Sequence, residues 1–203
     1  MVSPPQTRKA LCGYGSVYDR RMKLDSAMAS IIHSLANASA LVADYCDKAE
    51  HNEQVQQEWI LRASEILRKS SIDFAVAIEQ DLFELYAARL ESIERRGVAG
   101  TLPEAFDGGS SARQATSWGD LQTVQNLHDR HYHPDVVGLA KCDQLRHHAF
   151  HLAKLCAAFV MAQADEDRLE DVVKRRLPDA LLFALALATA IGTRLDSTPL
   201  RSS

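Results

Sequence analysis

The segment from Asp19 to about Glu50 constrains the fold more than any other part of the chain. Its apolar residues recur at alternating steps of four and three: Leu24, Met28, Ile31, Leu35, Ala38, Val42 and Tyr45. This spacing puts them on one face of a long helix, because an α-helix turns once every 3.6 residues. Alanines along the helix let a neighbouring helix approach closely. The pattern therefore predicts a helical bundle, packed within the chain or across a dimer.

The next segment, from Glu53 to Arg96, contains no proline or glycine. Ser70 followed by Asp73 matches a helix N-cap with an acidic third position, which predicts two helices divided at Ser70. The second is expected to end at Gly97, with Arg89 on its solvent side.

Residues 97–116 are rich in glycine and serine, which predicts a long flexible connector. Ser117 and Asp120 then form the capping pattern of a helix that must end near Pro134. A strong helical pattern follows over 139–163. Pro178 is tolerable only in a first turn or at a kink, and it leads into an apolar terminal helix ending at Gly192.

Alternation of period two, the signature of a β-strand, does not occur in the sequence. We therefore expect an all-α fold, a single-domain helical bundle of about five to six helices over residues 19–195. Residues 1–18 and 196–203 are predicted to be flexible tails. A chain of 203 residues suffices for one such core.

Composition excludes several classes of function. The net charge of −4 and pI near 6.1 argue against nucleic acid, which requires a basic face. The apolar run at 180–192 is too short for a bilayer, which needs about 20 residues, so we expect no membrane contact. The four cysteines are widely spaced and the N-terminus lacks a secretory signal, which indicates a cytoplasmic protein.

Two histidine-rich stretches carry the candidate chemistry: HDRHYHPD at 128–135 and DQLRHHAFH at 143–151. Projecting the helix of 139–163 gathers its apolar residues on one side: Leu145, Ala149, Leu152, Cys156 and Phe159. The opposite side is polar and consists of Asp143, His147, His151 and Lys154. This polar stripe is the first candidate for a site.

Histidines four residues apart on one helix face can reach a single metal ion, as His147 and His151 do here. His131 or His133 would supply a third metal ligand if the turn at 131–135 folds over the next helix. Imidazole and carboxylate ligands suit Zn, Fe or Mn, and Mg alone would require more oxygen ligands.

Three Asp-x-x-x-His pairs occur, and each also has a plain explanation. They are Asp47/His51, Asp129/His133 and Asp143/His147. An aspartate four residues before a histidine is a favourable helical pair in itself. It would also orient a histidine that binds a metal.

Basic residues in the same region suit a phosphorylated ligand, since guanidinium and ammonium groups bind phosphate oxygens. Arg130, Arg146 and Lys154 are the candidates for substrate binding. The alternative is that they form an ordinary solvated helix face.

The order of the last elements resembles the MazG-like all-α nucleotide pyrophosphohydrolases. The resemblance rests on SWGDLQTVQNLH, RHHAFHLAKLCAAF and RLPDALLFALALATAIGTRL, about 80 residues at the C-terminal end. It implies a bundle in which Glu-x-x-Glu and Glu-x-x-Asp motifs hold Mg²⁺ for hydrolysis of a nucleoside triphosphate. Asp179 matches the last carboxylate of that set.

The other three metal positions depart from the family pattern. Arg176 replaces the partner of Asp179, and His151 and Lys154 stand at the Glu-x-x-Glu positions. Exchanging carboxylates for basic groups reverses the charge of the site, which disfavours a metal and favours phosphate.

Three functions follow from these residues. The first is a homodimeric protein that binds a phosphorylated small molecule. If it is an enzyme, we expect it to hydrolyse a phosphoanhydride with a divalent metal (Mg, Mn, Zn or Fe), and Asp143, His147 and Asp179 are the candidate catalytic residues. The second is a metal-dependent oxidative enzyme with further ligands from Glu79, Glu84 or Asp47. The third is a non-catalytic interaction or regulatory protein.

Overall fold

The first helix, α1 (Leu11–Glu50), has 40 residues and begins before the predicted domain start at Asp19. The computed structural model describes residues 11–95, 106–196 and 199–200, with side chains from residue 21 onward. Six of the seven predicted apolar positions on α1 are buried, as expected for a helix packed along one face: Met28, Ile31, Leu35, Ala38, Val42 and Tyr45. These residues pack against α2 (Gln57–Ala77) and α7 (Lys141–Ala164).

The part of α1 from Arg21 to Glu50 is long and apolar enough to cross a membrane by length and composition. The core helices of soluble proteins meet the same criterion. The buried face of this segment lies against α2 and α7 within the domain.

The predicted division of 53–96 at Ser70 is wrong. Ser70 lies inside α2 and its hydroxyl donates to the Leu67 carbonyl at 3.2 Å, so it does not cap a helix. The chain instead turns after Ala77, where Glu79 adopts a positive φ of 56°. Asp81 caps the next helix, α3 (Leu82–Glu94), by accepting hydrogen bonds from the backbone N–H groups of Phe83 and Glu84.

The glycine-rich part of the predicted connector is helical. α4 (Gly108–Gln114) is capped by Asp107, which accepts from the Ser110 N–H at 2.8 Å. Gly108 and Gly109 are buried against α3, where the absence of a side chain permits the contact. The first part of the connector, residues 97–105, lies outside the described residues.

The helix predicted after Ser117 is confirmed as α5 (Trp118–Tyr132), with a capping box between Ser117 and Asp120. The short α6 (Pro134–Val137) follows at once, because His133 precedes a proline and leaves helical geometry with ψ of 47°. The helix predicted over 139–163 is α7.

The last part of the chain winds through a short α8 (Leu169–Asp171) and one π-helical turn at Val172–Arg176 before α9 (Leu177–Ala190). Pro178 lies in the first turn of α9, as predicted. Every residue from Leu177 to Ala188 is buried, since α9 packs on α2, α3, α5 and α7. A helix that is apolar on all sides is thus the centre of the bundle.

The predicted all-α class is confirmed: the described residues form one helical domain without a β-strand. Pro199 and Leu200, which follow the predicted domain end at 195, contact the residues that precede α5. A single antiparallel bridge joins Ser117 to Pro199, and the Leu200 N–H donates to the Thr116 carbonyl at 3.1 Å.

Candidate functional site

A cavity of about 600 Å³ opens between α3, the α5–α6 turn, α7 and the start of α9. Four histidines line it: His133, His147, His148 and His151. Lys154, Arg89 and Arg176 add basic groups, and Asp129, Asp135 and Asp179 add carboxylates. Ile93, Tyr132, Val136, Leu182 and Phe183 are among the apolar and aromatic residues of the wall. The lining therefore combines polar groups with apolar and aromatic surface, as small-molecule sites usually do.

Three of the histidines come from two turns of α7. The His147 and His151 rings lie one above the other, with centroids 4.6 Å apart, because residues four apart share a helix face. The His148 and His151 rings contact Phe183 of α9, with centroids 5.6 and 5.0 Å away. The central helix α9 thus provides the surface on which these histidine rings pack.

The fourth histidine reaches the cavity because α5 ends at Tyr132. The break before Pro134 turns His133 toward α7, and one turn earlier Asp129 faces the same space. Asp129 is oriented by a hydrogen-bonded chain: the Tyr86 hydroxyl donates to the Gln125 carbonyl oxygen at 2.5 Å, and the Gln125 amide donates to Asp129 at 2.7 Å.

Burial favours the neutral form of three of these imidazoles, those of His133, His148 and His151, by lowering the pKa of each. It lowers the pKa of His148 to about 4, and neither ring nitrogen of His148 has a hydrogen-bond partner within the described chain. Burial, then the neighbouring His147 and Lys154, lower the pKa of His151 to about 4. Burial also lowers the pKa of His133, against the opposing charge of Asp129. Neutral imidazoles can both donate and accept hydrogen bonds to a ligand.

An ion pair closes the inner end of the cavity. Arg89 donates from Nε and Nη2 to the two carboxylate oxygens of Asp179, at 2.5 and 3.1 Å. Both side chains are about one-tenth exposed. Burial raises the pKa of Asp179 and the Arg89 guanidinium opposes that rise. The expected solvent-side position of Arg89 is therefore wrong: it lies inward, on the same face of α3 as Tyr86.

The structure brings five of the residues predicted from the sequence to this cavity: His133, His147, His151, Lys154 and Asp179. The His133 turn does approach the polar stripe of α7, as the proposed third ligand requires. His131 points elsewhere, with its ring against Phe106 and Tyr132 at centroid distances of 6.4 and 4.9 Å.

Three other predicted residues lie outside the lining. Arg130 is exposed on α5. Arg146 pairs with Glu50 and with Asp143, the latter at 2.8 Å, so both Arg146 and Asp143 belong to a surface ion-pair cluster that joins α7 to α1. Neither is placed to act on a ligand in the cavity.

The additional carboxylates named for an oxidative enzyme are also remote from the cavity. Asp47 and Glu79 are exposed, and Glu84 accepts from Arg113 at 2.8 to 3.1 Å on the surface. None of these three carboxylates therefore lies where it could bridge a metal held by the histidines of α7.

Sequence reasoning missed His148, Phe183 and the inward position of Arg89. His148 is three residues after Leu145 and four before Leu152, so helical spacing already placed it beside the apolar face. Arg89 follows Tyr86 by three residues in the same way. A stricter projection of α3 and α7 would have found both.

The residues at the four expected metal-ligand positions do not fit the Mg²⁺ site that the MazG resemblance implies. Asp179 is committed to Arg89 through both oxygens, and His151, Lys154 and Arg176 supply no carboxylate. Within the described ranges no group of three or more His, Cys, Asp or Glu side chains is arranged to hold a metal ion.

Comparison with known proteins gives no further guidance: no protein-family model, curated protein or solved structure matches the chain significantly.

Proposed function

We propose that the cavity binds a phosphorylated small molecule, with a nucleotide as the best fit. The observation that carries this proposal is the position of Lys154 and Arg176 at the rim of a cavity lined by imidazoles. Lys154 is exposed, lines the cavity and forms no ion pair within the part of the chain that the structure describes. Arg176 donates a hydrogen bond from Nε to Asp171 at 3.0 Å, and its terminal nitrogens are the atoms that would contact a ligand. Two cations and neutral histidines suit a phosphate group.

The apolar part of the lining suits a flat apolar group. Phe183 and Tyr132 present aromatic rings, and Val136 and Leu182 add aliphatic surface. A base or similar ring can stack on such a surface while its phosphate reaches Lys154 and Arg176. This combination of basic and apolar lining residues favours a nucleotide over inorganic phosphate alone.

Calorimetric titration with a graded panel tests the proposal. The panel contains inorganic phosphate, a sugar phosphate, nucleoside mono- and triphosphates, and a nucleoside without phosphate. Nucleotides should bind most tightly, and Lys154→Gln or Arg176→Gln should weaken them at least about tenfold, equivalent to roughly 1.4 kcal/mol. Lys141→Gln, an exposed lysine on the same helix, is the matched control. Equal affinity in all four proteins would disprove the proposed site.

Hydrolysis is a separate part of the proposal. An assay for release of phosphate or pyrophosphate from the bound nucleotide decides whether binding leads to reaction. It is run with Mg²⁺, Mn²⁺ or Zn²⁺ and with a chelator. Binding without turnover under every condition would leave a binding protein and remove the hydrolase.

We also propose that the protein is a homodimer, through the solvent face of α7. This face is apolar from its middle to its end: Phe150, Ala153, Ala157, Val160, Met161 and Ala164, all exposed. Phe150 is 72% exposed, and Val160 and Met161 are each 47% exposed. The apolar helix α9 cannot serve instead, because it is buried.

The order of large and small residues on this face is complementary to itself. If two copies of α7 cross antiparallel at Ala157, Phe150 of each meets the small Ala164, and Met161 meets the small Ala153. Large side chains then fill the space beside small ones over about 21 Å of helix. A face with this order suits a second copy of the same chain.

Mass in solution tests the dimer by light scattering. The protein should have the mass of two chains, and Phe150→Glu should convert it to one. Val76→Glu changes a residue on α2 that is 70% exposed and should leave the dimer intact. A single-chain mass for the unmodified protein at tens of micromolar would disprove the interface.

A further inference from the structure

Two cysteines far apart in sequence meet where α1 and α7 touch. Cys46, in the last turns of α1, donates its thiol hydrogen to the backbone carbonyl of Cys142 at a sulfur-to-oxygen distance of 3.6 Å. They are 96 positions apart, so no sequence motif reveals the pair. Both are free thiols.

The surroundings of the two sulfur atoms differ. Cys46 is 2% exposed, and Cys142 is half-buried in the first turn of α7. Burial, followed by the neighbouring Cys142, raises the pKa of the Cys46 thiol to about 11. Tyr45, on the preceding position, has a pKa raised by burial and then by both cysteines, which again places the two thiols in one cluster.

We propose that Cys46 and Cys142 form a redox-active pair that closes to a disulfide between α1 and α7 when the protein meets a hydroperoxide. The half-buried Cys142 is the residue that the oxidant reaches, and the buried Cys46 is the residue that resolves the product. Closure requires the Cys142 side chain to turn toward the Cys46 sulfur, which lies 3.6 Å from the Cys142 carbonyl oxygen.

The reaction has two steps. The Cys142 sulfur, as thiolate, attacks one peroxide oxygen; the S–O bond forms, the O–O bond breaks and an alcohol or water leaves, which gives a sulfenic acid. The Cys46 sulfur then attacks the Cys142 sulfur; the S–S bond forms, the S–O bond breaks, and water leaves with the Cys46 proton. Two thiols and one hydroperoxide become one disulfide, one alcohol or water, and one further water.

The location gives the bridge a structural effect. Cys142 is two residues before Gln144, which lines the cavity, and α7 carries three of the cavity's four histidines. A covalent link at this point fixes the start of α7 to α1. The inference is independent of what the cavity binds, because it rests on the thiol pair alone.

Peptide mapping by mass spectrometry tests the pair. The dilute, folded protein is treated with hydrogen peroxide, its remaining thiols are alkylated, and it is digested without reduction. A cross-linked peptide containing Cys46 and Cys142 should appear, lighter than the sum of its parts by two hydrogen atoms. The oxidised protein should also melt at a higher temperature than the reduced protein, because the link restricts the unfolded chain.

Variants make the test specific. Cys142→Ser should abolish the cross-link, and Cys156→Ser, a half-buried cysteine on the same helix, should retain it. Circular dichroism of each reduced variant checks its helix content. The proposal is overturned if Cys142 is oxidised only to sulfinic acid while Cys46 stays available for alkylation after unfolding, or if the bridge found joins other cysteines or two molecules.

Discussion

Arg89 of α3 and Asp179 of α9 hold each other in a two-point contact, with N–O distances of 2.5 and 3.1 Å, at the buried end of the cavity. The pair ties the central helix to α3 and explains a charged residue in the first turn of an otherwise apolar helix. An aspartate near a helix N-terminus is also stabilised by the backbone N–H groups there. Asp179 thus has a structural partner in the position where the family resemblance expected a metal ligand.

Removing one member of this pair should destabilise the fold strongly. Asp179→Asn or Arg89→Met leaves the other charge buried without its partner, at a cost of roughly 3–5 kcal/mol in the free energy of unfolding. Urea unfolding followed by circular dichroism measures this cost. The double change Arg89→Met with Asp179→Leu should cost clearly less than the sum of the single changes, since neither charge then remains buried. Additive costs would show that the two residues act independently.

Most of the helices were predictable because their signals are local. The α1 seam, the Ser117 capping box and the stop before Pro134 each depend on residues within a few positions of one another. Such patterns determine where a helix begins and ends and which of its faces is buried, without reference to the rest of the chain. They also sufficed to bring His133 near the stripe of His147 and His151.

The elements that sequence reasoning missed depend on contacts between distant segments. Ser70 resembles a cap, but its position inside α2 is decided by packing against the core, and Asp81 does the capping instead. The spacing of Arg89 from Tyr86 indicates an inward position, but the partner that balances its charge there, Asp179, lies 90 positions later. No local pattern contains that partner.

Gly109 should prove to be a packing residue. A Cβ at this position would overlap Glu91 Cγ and lie 3.1 Å from the Ala87 carbonyl, so α4 must move away from α3 to accept it. Gly109→Ala is therefore expected to destabilise the protein by about 1–3 kcal/mol, measured as a shift in the urea midpoint. Ser110→Ala, one position later on α4, should have little effect. Unchanged stability of Gly109→Ala would contradict the tight α3–α4 contact.

Ser117 should stabilise the start of α5 through its side chain. Its hydroxyl accepts from the Asp120 N–H at 3.2 Å, and Asp120 accepts from the Ser117 N–H at 2.9 Å. Ser117→Ala should lower the free energy of unfolding by about 1 kcal/mol, and Ser117→Thr should recover most of the loss. Thermal unfolding of the three proteins decides the point, and equal melting temperatures for serine and alanine would contradict a capping role.

Stability should fall on acidification because of His148. Its pKa is about 4 in the folded protein against 6.5 for an ordinary histidine, so between these values the unfolded chain binds a proton that the folded chain does not. His148 therefore leaves the folded state fully stable above pH 6.5 and lowers its free energy of unfolding as pH falls toward 4. From pH 7 to pH 5 this one group should remove about 2 kcal/mol from the free energy of unfolding.

Replacing the histidine isolates its share of the pH effect. His148→Leu fills a similar volume without ring nitrogens that lack partners, so it should cost little at pH 7 and should lose about 2 kcal/mol less than the unmodified protein between pH 7 and pH 5. His33→Leu, the same change at an exposed histidine of α1, should keep the original dependence. Parallel pH profiles for all three proteins would mean that His148 is not the neutral buried group that its surroundings beside Phe183 require.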